Sequence, residues 1–202
     1  MSQSFSSPLI ATQIASAMEL LGDMPETLPP AVEQAGQKIA QCLLADGTLF
    51  IAGTGQYEPL MRYFHGLLAC PPSAWRPALP ALLLNIDARG LDPSADADRA
   101  DAPPDSLMAR SLMALAKAGD TLCIACNQTD DSSVAELVQL AHDKQLHCVV
   151  LHAGNDGGQA TASTHRTALQ LPGIDNHRQH LAALFVVQCL HAIIDQEIFG
   201  GL

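Results

Sequence analysis

The sequence predicts an α/β fold, a three-layer α/β/α sandwich around a five-stranded parallel sheet with a helical preface. Three observations predict it. Short apolar runs recur along the chain, they alternate with segments of helical apolar spacing, and the first run ends in a glycine turn. Runs that are apolar throughout, without polar alternation, suit a parallel sheet covered on both faces. Aromatic residues make up 4% of a chain that is 48% hydrophobic, so aliphatic helices packed on a sheet must fill the interior.

Residues 8–22 (PLIATQIASAMELLG) and 31–45 (AVEQAGQKIAQCLLA) carry apolar side chains at helical spacing on either side of the proline-rich MPETLPP. They form the preface, 8–45, of a single domain spanning 1–202, whose α/β core is 46–202. Strands are predicted at TLFIAG (48–53), PALLLNI (80–86), TLCIAC (121–126), HCVVLHA (147–153) and TALQLP (167–172). Helical patterns lie between and after them, near 59–69, 105–118, 132–144 and 178–197. The segment 87–105 places aspartates at 87, 92, 96, 98, 101 and 105 among three prolines and reads as a solvated loop.

Charge narrows the function. A formal charge of −11 and a pI near 4.9 argue against direct nucleic-acid binding, which relies on clustered lysine and arginine. The six cysteines are scattered, and MSQSFSSPL has no basic stretch followed by an apolar core, so they read as reduced thiols of a cytoplasmic protein. Cys123 and Cys126 are three apart within one strand, which sends them to opposite faces as buried residues and not to a shared metal. No apolar run approaches the ~18 residues of a membrane span.

In an open parallel sheet the ligand crevice lies at the carboxyl ends of the strands. That directs attention to Gly53–Pro59, Asn85–Arg89, Cys126–Ser133 and Ala153–Gly158. Gly53-Thr54-Gly55 begins like a dinucleotide fingerprint, but Glu58 stands where the third glycine belongs and no lysine follows, so the glycines serve a tight strand-to-helix turn. Asp130, Asp131, Ser132 and Ser133 read as a helix cap, while Asn127, Gln128, Thr129, Ser132 and Ser133 can hydrogen-bond a neutral sugar. His177 and His180 are three apart at the start of the last helix, but the sequence nominates no third metal ligand, so they read as a partly exposed pair at a subunit interface.

The helical preface, FIAGTG, AGDTLCIAC, NDGG and LQLPGIDNHRQHLAALFVVQCLHAIIDQEIF together resemble the sugar isomerase (SIS) family, in the branch holding phosphoheptose isomerase and the DnaA initiator-associating protein. The likeness runs from about residue 8 to 199. It implies a homo-oligomer, dimer or tetramer, with sites between subunits and a sugar phosphate or sugar derivative as ligand. The family's first phosphate loop, roughly G-N-G-G/T-S, is here Gly53-Thr54-Gly55-Gln56-Tyr57, and its second, roughly S-T-x-G-N-S, is Cys126-Asn127-Gln128-Thr129-Asp130-Asp131-Ser132. The resemblance thus implies a degenerate pocket of Gly53, Thr54, Gly55, Gln56, Tyr57, Asn127, Gln128, Ser132, Ser133 and His180.

The family's metal-holding His and Glu map to Tyr63 and Leu67, and its catalytic His to Ala183 within His180-Leu181-Ala182-Ala183. On these positions no catalytic residue, metal or cofactor is expected. The function implied is a non-catalytic oligomeric scaffold that docks a replication initiator protein, with Ile198 and Phe199 as candidate contacts. Ile198 and Phe199 could equally seal the last helix against the core. The enzymatic alternative is a phosphoheptose isomerase with relocated groups drawn from Glu58, Tyr63, His65 and His180; the third reading is a sensor of a sugar derivative.

Overall fold

The computed structural model of the chain describes residues 8–70, 76–84, 107–128, 132–154, 165–173 and 175–200. The aspartate-rich segment and the loop 85–89 lie outside them, as do 129–131 and 155–158 of the other crevice loops.

Five parallel strands form one sheet: β1 (Leu49–Gly53), β2 (Ala81–Leu83), β3 (Thr121–Cys126), β4 (His147–His152) and β5 (Arg166–Gln170), in the order β2-β1-β3-β4-β5. The helices are α1 (Pro8–Thr27), α2 (Pro29–Leu44), α3 (Glu58–Ala69), α4 (Leu107–Leu115), α5 (Ser132–Asp143) and α6 (Asn176–Phe199). The continuous apolar strands have the reason expected of them. Leu49, Ile51, Cys123, Ala125, Val149 and Leu151 face a core shared with α1, α2, α3 and α6, while Phe50, Leu122, Ile124, Cys126, Cys148 and Val150 face α4 and α5.

Cys123 and Cys126 therefore sit on opposite faces. Burial pushes the Cys123 thiol far up, with the neighbouring Cys148 adding to it, and pushes Cys148 up to about 12.

Two elements depart from expectation. α1 continues through Pro25 to Thr27 and meets α2 almost without a break, because Leu28 N donates to Met24 O and Val32 N to Leu28 O, both at 3.1 Å. Leu20, Met24, Leu28 and Val32, four apart, are buried in one stripe, and that shared burial outweighs the hydrogen bond the proline removes. The second is α6. By length and a mean hydropathy of 1.5 it is apolar enough to cross a membrane, although no single run in it is long. Here Ala182, Ala183, Val186, Val187, Leu190 and Ile194 are buried against the sheet side of the molecule, where α6 crosses α2, so it is a core helix.

The amino ends of the central strands are tied by the aspartate of the AGD motif. Asp120 Oδ1 accepts from Thr48 N and its Oδ2 from Lys117 N, each at 2.8 Å, which fixes β1 against β3.

Candidate functional site

The crevice begins where β1 runs out. Thr54 N still donates to Ala125 O of β3 at 3.0 Å, and the chain then makes a short 3-10 turn over Gly55–Tyr57 before α3. Both glycines are required. A Cβ on Gly53 would lie 2.8 Å from Glu58 Cα and from Tyr57 O, and Gly55 has a φ of 55°. The turn carries Gln56 to the β3 loop, where Gln56 Nε2 donates to Asn127 Oδ1 at 3.0 Å. This exposed amide pair bridges the two loops that the sequence singles out.

The β4 loop joins them. Gly154 N donates to Asn127 O at 2.8 Å, and Gln128 lies against Gly154. Ser132 and Ser133 open α5 at the same end of the sheet.

α6 completes the crevice. Asp175 caps it by accepting from Arg178 N at 2.9 Å, and Gln179 Nε2 donates to Ala153 O and Gly173 O at 3.2 Å each, which fastens the helix start to the β4 loop. One residue on, the His180 ring stacks on Tyr57, with centroids 5.9 Å apart and planes at 25°. His177, three residues earlier on the same helix, is exposed.

Tyr57 is fully buried, and its hydroxyl has no hydrogen-bond partner. The Gln56 carboxamide is close enough to favour the phenolate slightly, but it is engaged with Asn127 and completes no bond of ordinary geometry to the hydroxyl. Burial dominates and raises the phenol above its usual range, with the nearby Cys126 thiol adding to the rise. Tyr57 is therefore a neutral donor at physiological pH. Leaving such a group unpaired costs about 1–3 kcal/mol.

The residues at the family's metal positions do not fit a metal ion. Leu67 has no side-chain donor atom and Tyr63 is 43% exposed on the outer side of α3, while Ala183, at the position the resemblance gives to the catalytic histidine, is in the core and carries no group that moves a proton. Among the described residues no three His, Cys, Asp or Glu side chains converge. Of the remaining alternatives, Glu58 is paired with Arg62 at 2.9 Å, His65 is partly buried on α3, and His180 is the imidazole stacked on Tyr57.

Ile198 and Phe199 pack against the larger core, and the Arg76 guanidinium lies 5.8 Å from the centre of the Phe199 ring. Sequence reasoning did not nominate Arg76, Gln179 or Asp175, although an aspartate directly before the helical pattern is a legible cap.

A family model described as the SIS domain matches residues 13–153. The phosphoheptose isomerase of Chromohalobacter salexigens is 30% identical over 178 residues, covering 87% of this chain and 88% of that protein. The phosphoheptose isomerase of Methylococcus capsulatus is 29% identical and covers 97% of this chain and 94% of its own. A solved phosphoheptose isomerase from Francisella tularensis shares the fold with a TM-score of 0.79 at 24% identity, covering 93% of this chain and 97% of that one.

These relatives overturn the expectation of a non-catalytic scaffold for a replication initiator, since they are named as enzymes and are matched over almost their whole length. Three positions on two helices are not the whole chemistry of a crevice. His180 and Tyr57 are stacked beside the turn that follows β1. From the matched residues and from this degree of likeness to the first relative, the chain belongs to the SIS domain family.

Proposed function

We propose that this chain is a sugar-phosphate isomerase of the phosphoheptose type, with His180 as its proton-handling group. The observation that carries this reading is the placement of His180, held by the capped start of α6 against Tyr57 where the β1 and β3 loops meet. Aldose–ketose isomerisation needs a base that removes a proton from the carbon beside a carbonyl and returns one to the neighbouring carbon. The hydroxyl proton moves to the former carbonyl oxygen, so no outside reagent is consumed. Thr54, Gln56, Asn127, Gln128, Ser132 and Ser133 supply hydrogen-bonding groups suited to a hydroxyl-rich ligand.

The test is exchange of the carbon-bound protons of sedoheptulose 7-phosphate in D₂O, followed by NMR, which detects proton abstraction even without net turnover. His180→Ala is expected to slow exchange by roughly 10²–10⁴-fold. Exchange is expected to survive exhaustive chelation, because the residues at the family's metal positions cannot hold an ion. Ligand-induced stabilisation without any exchange would overturn the enzymatic reading.

The same reading includes self-association. Leu9, Ile10, Ile14 and Met18 on α1 and Phe185 on α6 are large, apolar and exposed, and a cavity of about 410 Å³ opens between Met24, Leu28, Val32, Phe185, Cys189 and Ile193. A second copy of the chain covering this surface accounts for it. Light scattering is expected to give a mass of at least twice 21.3 kDa; a monomer would overturn this part. All six cysteines are free thiols, which supports a reducing, cytoplasmic setting.

A further inference from the structure

We infer that the amino end of the sheet, opposite the crevice, carries a second site, in which Lys38, His147 and His165 take a small oxyanion of the phosphate class. The inference is independent of the isomerase reading and uses none of the residues on which that reading rests.

Three elements bring these groups to one face. β4 and β5 run parallel with Val149 opposite Thr167, and Val149 faces the larger core. Side chains two apart on a strand point the same way, so His147, two before Val149, and His165, two before Thr167, face that side as well. Cys148 N donates to His165 O at 2.7 Å, which holds the start of β5 beside that of β4, and His147 Nε2 lies 3.1 Å from Thr167 Oγ1. α2 lies over β5 and supplies Lys38. The Lys38 ammonium and the His165 imidazole are both near enough to His147 to repel its charged form. Arg166 is opposite Cys148 and faces the other core, so it takes no part.

The cluster lacks a countercharge of its own. The chain has 21 acidic residues against 10 lysines and arginines, yet no carboxylate among the described residues is ion-paired with Lys38, His147 or His165. Lys38 Nζ donates to the neutral Gln41 Oε1 at 3.2 Å. Asp120, the acid at the start of the adjacent β3, has both oxygens occupied by Thr48 N and Lys117 N. Gathering like charges round a partly buried imidazole costs stability, and an oxyanion that accepts from them removes that cost. Thr167 is 6% exposed and fixes His147, while Lys38 and His165 are exposed and can close on a ligand from solvent. Cationic donors without acceptors suit a phosphate group and repel a cation.

The experiment follows the imidazole Cε1 protons of the full chain by NMR as inorganic phosphate replaces chloride at constant ionic strength, at about pH 6, where histidines respond to nearby charge. The His147 and His165 signals are expected to shift together and to saturate with a Kd on the order of 1 mM. Lys38→Ala, a change on the exposed side of α2, is expected to weaken binding roughly twofold to fivefold while the protein melts at the same temperature. His147 and His165 signals that stay still overturn the inference, and so do shifts that saturate at the same Kd in Lys38→Ala. Shifts confined to His180 would place the phosphate in the crevice, which overturns this site and leaves the isomerase reading standing.

Discussion

Two of the three histidines of α6, His180 near its start and His191 in its second half, sit in opposite kinds of polar surroundings. At its carboxyl end, His191 Nε2 lies 3.1 Å from Arg76 Nη2 and 3.4 Å from Asp195. Arg76 is saturated: it donates to Leu67 O, Leu68 O and Pro77 O, and its Nε lies 3.1–3.2 Å from both Asp195 oxygens, one hydrogen-bonded and the other sharing the charge. At the amino end, His180 faces an aromatic ring whose hydroxyl is unpaired, beside an amide bridge open to solvent. The first cluster pins the chain after α3 onto α6 with the Arg76 donors engaged, and Asp195 Oδ1 is its buried atom without a hydrogen bond. The second leaves a neutral donor unengaged at the carboxyl end of the sheet.

The sharpest way to break the comparison is to unpair the saturated cluster. The Arg76 side chain is 1% exposed and that of Asp195 15%, so Asp195→Ala strands a buried guanidinium. The expected cost is about 3–5 kcal/mol in denaturant unfolding. Replacing the pair together, by Arg76→Met with Asp195→Leu, is expected to recover most of that, because two apolar side chains leave no charge behind. A loss below ~1 kcal/mol in the single variant would show that Arg76 finds water and that the brace is not structural.

Acid should reveal a similar contrast more gently. Burial lowers the His191 imidazole below its usual range, with Arg76 acting in the same direction and Asp195 and the Leu67 carbonyl opposing. His147, which hydrogen-bonds Thr167 at 3.1 Å, is pulled down to about 4 by burial, with Lys38 and His165 adding repulsion. Both are held neutral in the fold, while in the unfolded chain they titrate near 6.5. Unfolding therefore takes up protons below that value: the stability these groups contribute is complete above pH 6.5 and is lost as pH falls below it, for His147 towards about 4. The melting temperature is expected to decline between pH 6.5 and 5, and His147→Gln should flatten the decline. An unchanged slope would assign it to other groups.

Much of this was legible in the sequence, and the limits have physical causes. Continuous apolar strands announced a sheet buried on both faces, and Gly53 and Gly55 announced the turn, because both signals are local. α1 passing through Pro25 was not legible, since a breaker is visible in sequence and the stripe of Leu20, Met24, Leu28 and Val32 has meaning only once a core faces it. The resemblance put Tyr57 and His180 in one pocket, but their stacking depends on α6 being fastened to the β4 loop by Gln179, a contact between distant segments. Arg76 had no signal of its own: a single arginine in WRPALP looks like any surface cation until Asp195 and three carbonyls close around it. The scaffold expectation failed for a related reason. Tyr63, Leu67 and Ala183 show which groups are missing at fixed positions, and they say nothing about a base supplied from elsewhere.

The smallest expected effect concerns the bridge itself, and its sign matters more than its size. Gln56 and Asn127 are exposed, so each single alanine variant should change stability by less than ~1 kcal/mol, with a coupling of about 0.5 kcal/mol in a double-mutant cycle. Ligand affinity separates two roles for the pair. If the bridge is a latch that a ligand must open, Gln56→Ala removes a bond the ligand would have had to break, and sedoheptulose 7-phosphate should bind more tightly by roughly twofold to fivefold, in line with a bond of about 0.5–1 kcal/mol. If the two amides themselves hold the ligand, the same variant weakens binding instead. Tighter binding by Gln56→Ala would assign the amide pair to closure, and weaker binding would assign it to recognition.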